Sequence, residues 1–142
     1  MALPTSSATR WSAARSAVVA VAALRVVLGI GAVVRPELVA RPWIGHDDGP
    51  GTAVLGRALG GRDIALGLGL LLAANHDGPL RGWTEAAALA DTGDVVATLA
   101  AFGRLPLRGR LVVLAAAGGA AAVGWWAARA VDQARPSPCP AG

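Results

Sequence analysis

Residues 55–67 read Leu55-Gly56-Arg57-Ala58-Leu59-Gly60-Gly61-Arg62-Asp63-Ile64-Ala65-Leu66-Gly67, and the stretch sets two tendencies against each other. Leucine, isoleucine, alanine and glycine make it part of an apolar run over about 52–74, yet Arg62 and Asp63 put opposite charges at the centre of that run. At 100° per residue, Gly56, Gly60, Asp63 and Gly67 fall on one stripe of a helix. Small residues around a polar one let two backbones approach closely, which is how helices pack where lipid is as apolar as any side chain. The stretch therefore predicts a membrane helix with a tight seam and a charge in that seam.

Three further runs of similar length lie on either side, at about 16–34, 83–103 and 111–130, each near the ~20 residues needed to cross hydrocarbon. Pro36, Pro42 and Pro50 mark the first connection, Asn75 to Gly82 with Pro79 the second, and Gly103 to Arg110 with Pro106 the third. The last two connections are short enough to make antiparallel neighbours. Trp11, Trp43, Trp83, Trp125 and Trp126 fall near the ends of the runs, where an amphipathic ring prefers the headgroup layer. The fold class expected is all-α, a four-helix transmembrane bundle. Its domain would span 16–130, between a flexible segment at 1–15 and a Pro-rich disordered tail at 131–142. Pro36 to Ile44 is expected to lie along the interface as a short amphipathic helical turn.

The charges are the expensive part. Each large aliphatic of the second run contributes about 0.3–0.6 kcal/mol towards insertion and each central charge costs about 2.5–3.5 kcal/mol, so Arg62 and Asp63 cancel most of the gain. The third run is mostly alanine and carries Asp91 and Asp94, with Glu85 near its start. These two helices are expected to insert as an adjacent antiparallel pair whose charges meet or are neutralised by protonation. Ala87, Asp91, Asp94 and Thr98 share one stripe, and in the first run Val18, Arg25, Gly29 and Ala32 share another. The expected buried ionic network is Arg25, Arg57, Arg62, Asp63, Asp91 and Asp94, with Arg57 either joining it or snorkelling to the headgroups. The expected helix-packing glycines are Gly29, Gly56, Gly60 and Gly67.

Composition narrows the class. Hydrophobic residues make up 54% of the 142 residues and mean hydropathy is +0.52, too apolar for an ordinary soluble domain. The net charge of +4 comes from arginines scattered between apolar runs and not gathered on one face, so nucleic acid is not an expected partner. The first 36 residues lack acids, as targeting peptides do, but the first run is longer than a signal-peptide core and Arg25 interrupts it. It is read as a retained transmembrane helix. Counting arginines does not orient the bundle, because Arg10, Arg15, Arg81, Arg129 and Arg135 at one end balance Arg35, Arg41, Arg104, Arg108 and Arg110 at the other. Cys139 is the sole cysteine, and His46 and His76 sit in connections beside aspartates, so no metal site and no cofactor are expected.

The segment Leu55 to Gly67, followed by Ala90-Asp91-Thr92-Gly93-Asp94, resembles the small four-span membrane proteins common in actinobacteria. That group is a domain-of-unknown-function family similar in size and span count to the DoxX-like proteins. The resemblance covers about residues 16–130. It implies a multi-pass protein of the bacterial cytoplasmic membrane and brings no catalytic residue. The thiol chemistry of some DoxX-like proteins has no cysteine pair here to carry it.

Three functions fit these residues. The network can be structural, fixing helix register in a scaffold or accessory membrane subunit whose partners are the bilayer and a second copy or another membrane protein. Two Arg against three Asp leave one carboxylate in surplus, the arrangement of a proton- or cation-coupled transport component. An Asp91–Asp94 pair could also serve a membrane enzyme or lipid binder as acid and base, although no nucleophile, metal set or phosphate-binding loop accompanies it.

Overall fold

A computed structural model describes residues 6–45, 49–76 and 78–133. The chain forms five α-helices: α1 (Ser6–Val34), α2 (Glu37–Ile44), α3 (Pro50–Asn75), α4 (Leu80–Ala100) and α5 (Leu107–Gln133), with a 3-10 turn at Phe102–Arg104. No strand occurs among the described residues. Proline sets most of the boundaries. Pro36 lacks the N–H that would continue α1 and opens α2, Pro50 occupies the first turn of α3, and Pro79 and Pro106 precede α4 and α5. Helix α2 stops at Gly45, whose φ of 91° favours glycine and whose N–H donates to the Arg41 carbonyl at 3.0 Å.

The four long helices form an up-down-up-down ring in the order α1, α3, α4, α5. The most extensive contacts are between α1 and α3 and between α4 and α5, and the α3–α4 seam is much thinner. The α1–α3 pair is antiparallel: Arg15 reaches Ala74, Ala22 lies against Gly67, Gly29 against Gly60 and Pro36 against Gly56. A Cβ on Gly60 would stand 2.6 Å from the Gly29 carbonyl oxygen, and a Cβ on Gly29 would stand 2.6 Å from that of Gly60. The glycine stripe of α3 thus meets α1, while α4 meets α3 through Trp83, whose ring covers Gly69. On the other side Gly124 of α5 lies against Ala88 of α4. Helix α2 packs across one end of the bundle, on α5 and α3, where Gly109 lies against the Trp43 and Pro42 carbonyls.

Several limits differ from the sequence expectation. Of the segment 1–15 expected to be flexible, residues 6–15 form the first turns of α1, with Ala14 fully buried, and residues 1–5 lie outside the described residues. Alanine and arginine there are good helix formers although they interrupt the apolar run. Helix α4 starts at Leu80 and ends at Ala100, short of residue 103, and α5 runs through 131–133 to Gln133. The rest of the expected tail, residues 134–142, lies outside the described residues. Two helices, Trp11–Val34 and Leu107–Val131, are long and apolar enough to cross a membrane. The charged α3 and α4 do not meet that standard on composition.

The interior is built from small and polar side chains. Among the described residues, Val18, Leu70, Leu80 and Val131 are the only buried hydrophobic residues larger than alanine, and the buried polar group is Arg25, Thr84, Asp91 and Thr98. Large aliphatics stand outside instead, on every long helix: Leu24 and Leu28 on α1, Leu55, Leu68 and Leu72 on α3, Leu89, Val96 and Leu99 on α4, Leu111 and Val112 on α5.

Candidate functional site

The close α1–α3 approach carries Arg25 into the bundle, where its side chain is 7% exposed. Its Nη1 donates to Asp63 Oδ1 at 2.9 Å, and its Nη2 donates to Asp91 Oδ2 and, at 3.4 Å, to the Ala87 carbonyl. From α3, Arg62 grips Asp94 of α4 with two parallel bonds, Nη1 to Oδ1 at 3.0 Å and Nη2 to Oδ2 at 2.9 Å. Its Nη2 also reaches Asp63 Oδ1 at 3.2 Å. The result is a single chain of alternating charge, Asp91–Arg25–Asp63–Arg62–Asp94, joining α1, α3 and α4. Two-point Arg–carboxylate contacts are among the strongest and most direction-specific of hydrogen bonds.

Burial falls along the chain. Asp91 is 8% exposed and Arg25 7%, whereas Asp94, Asp63 and Arg62 are 19%, 25% and 30% exposed. The sealed end lies between α1 and α4, and the open end lies on the thin α3–α4 seam. Around the sealed end a cavity of about 20 Å³ is lined by Arg25 and Asp91 together with Thr84, Leu70, Val123 and Gly124, among others. Thr84, Thr92 and Thr98 each donate to the carbonyl one turn back, on Leu80, Ala88 and Asp94, which satisfies their hydroxyls inside α4. The Nε atoms of Arg25 and Arg62 are buried with no hydrogen-bond partner.

Arg57 is exposed and has no ion pair with the chain among the described residues. It lies five residues before Arg62, about 1.4 turns, which rotates it ~140° around the helix from that residue. His76 is exposed at the end of α3, its Nδ1 3.1 Å from the Leu72 carbonyl. His46 and Cys139 lie outside the described residues, and among those described no group of His, Cys, Asp and Glu could hold a metal ion.

Three contacts were not foreseen from the sequence. Arg15 donates to the Ala74 carbonyl from Nη2 at 2.9 Å and Nε at 3.3 Å, capping the last turn of α3. Trp125 Nε1 donates to Thr92 Oγ1 at 3.3 Å, linking α5 to α4. The Arg110 guanidinium stacks 4.5 Å over the Phe102 ring beside the 3-10 turn. Arg15 sits one turn before a buried Val18 and opposite the polar end of α3, which is a signal only after α1 and α3 have been aligned.

Comparison with family models, with curated proteins and with solved structures gives no significant match for this chain.

Proposed function

We propose that the chain is a four-span integral protein of the bacterial cytoplasmic membrane, a structural or accessory subunit whose Arg/Asp chain holds the helices in register. The observation that carries this reading is the inverted distribution of side chains, with alanine, glycine, threonine and ion pairs inside and leucine and valine outside on all four long helices. In water such a surface is an aggregation liability. In hydrocarbon it is the natural exterior, and the polar interior is where intramembrane charges belong. Length supports all four spans: α4, the shortest at 21 residues, is about 31 Å long at ~1.5 Å per residue, which matches the ~30 Å of a hydrocarbon core. The central charges of α3 and α4, Arg62, Asp63, Asp91 and Asp94, are paired within the bundle, which leaves leucine and valine on the outer faces of these helices.

Fractionation tests the reading. After alkaline washing and ultracentrifugation the protein is expected in the membrane pellet, released only by detergent. Recovery in the aqueous supernatant would rule it out.

A second reading, a proton- or cation-coupled transport component, is favoured by the exposure of Arg62, Asp63 and Asp94 at the open end. It requires proton or cation flux into proteoliposomes that disappears in Asp94→Asn. Absence of flux in the unaltered protein leaves the structural role.

A further inference from the structure

The ionic chain contains three carboxylates and two guanidiniums, so full ionisation would leave one negative charge inside the bundle. An uncompensated charge in a medium of low polarity is far costlier than its neutral form, and such a group normally takes up a proton. The three carboxylates are not equivalent. Asp63 accepts from both arginines, Arg25 at 2.9 Å and Arg62 at 3.2 Å. Asp94 is held through both oxygens by Arg62 and is the more exposed of the two end groups. Asp91 is held through Oδ2 alone, by a donor that Arg25 divides with the Ala87 carbonyl, and is the most buried carboxyl of the three.

The surroundings of Asp91 add no compensating charge. From α1 it faces Arg25, and from α3 it meets Asp63 and Arg62 only through that arginine. On its own helix Asp94 lies one turn further and is already paired with Arg62, while Glu85 is paired with Arg81 at 2.8 Å. Helix α5 carries no ionisable residue between Leu111 and Ala128. Asp91 also lines the 20 Å³ cavity, shared with Thr84 and with Arg25, whose buried Nε–H has no partner. That volume is about the room one water-sized molecule requires.

We propose that Asp91 is a proton-binding site, its Oδ1 carrying one proton at neutral pH. The proton leaves Oδ2 free to accept from Arg25, so the observed contact is kept and the chain becomes neutral. The proposal rests on the membrane reading, since hydrocarbon around the bundle is what leaves the surplus charge unscreened by water.

The test is infrared spectroscopy of the full chain in an ester-free maltoside detergent at neutral pH, which resolves the carbonyl stretch of a protonated carboxyl. The expected result is one such band in the unaltered protein, lost in Asp91→Asn and retained in Asp94→Asn. Asp91→Asn, which resembles the neutral acid in shape, is expected to keep the thermal midpoint, and Asp63→Asn to lower it. Absence of the band from the unaltered protein overturns the proposal even if every variant fails to fold. A band that survives Asp91→Asn and vanishes in Asp94→Asn overturns it as well. Failure of the membrane reading shows separately, as protein in the aqueous fraction.

Discussion

Gly60 and Gly61 are adjacent in sequence and opposite in surroundings. A Cβ on Gly60 would stand 2.6 Å from the Gly29 carbonyl oxygen and 2.9 Å from the Ala32 Cβ, whereas a Cβ on Gly61 would meet nothing within 4 Å. Gly60→Ala is therefore expected to push α1 from α3 and cost about 1–3 kcal/mol, the usual range for overpacking. Gly61→Ala, by contrast, should leave stability unchanged or raise it by up to ~1 kcal/mol through helix propensity. Reversible unfolding of both variants in detergent checks this, and equal effects would remove the packing argument. The ion pairs give a second comparison. Arg62→Leu and Asp94→Leu are each expected to destabilise, and the double change to cost about 0.5–3 kcal/mol less than the two losses added. A double-mutant cycle with strictly additive losses would mean that the two side chains do not interact. The 4, 3, 4 spacing in sequence was enough to put Gly56, Gly60 and Gly67 on one face. It did not say which helix that face meets, because spacing carries no information about partners. Arg57, expected either to join the network or to snorkel, is exposed: proximity in sequence suggests a network, but five residues turn it ~140° around the helix from Arg62.

Helix ends depend on contacts that periodicity does not reveal. Arg15 supplies two donors to the Ala74 carbonyl at the end of α3, so Arg15→Met, which keeps most of the apolar stem, is expected to cost about 1 kcal/mol in the same unfolding measurement. A loss in Arg15→Met equal to that of an exposed control such as Arg129→Met would show that the cap contributes nothing. Gly45, with φ of 91°, ends α2 beside Pro106, and Gly45→Ala is expected to cost about 1–2 kcal/mol from backbone strain. The prolines made most helix starts legible, because a residue without an N–H fits the first turn and little else. The start of α1 was not legible by apolarity: residues 6–15 mix Ser, Ala and Arg, and their helix shows only once Ala14 is seen packed in the core with Val18. Trp83 was placed by its amphipathic ring at a boundary. Its second role, covering Gly69, needs the α3–α4 crossing to be known.

At the scale of the whole molecule, the order α1–α3–α4–α5 puts the two most apolar helices beside the two charged ones, and the ion pairs tie α1, α3 and α4 together from within. Stripe arithmetic foretold which faces carry charge but not this order, which depends on how a short α2 returns the chain to the bundle. In the four-span arrangement proposed above, α3 and α4, despite their charges, stand in lipid alongside α1 and α5. The most direct measurement places a spin label at Leu68→Cys on α3 and at Leu89→Cys on α4, each an exposed leucine, in a chain whose Cys139 is replaced by serine, reconstituted in liposomes. Collision of the label with dissolved oxygen is compared with collision with a water-soluble nickel chelate. Oxygen is expected to prevail at both positions, as at Val112→Cys on α5, whose stretch from Leu111 to Ala128 carries no charge. Dominant collision with the nickel chelate at Leu68 and Leu89 would place α3 and α4 in water and contradict the four-span bundle.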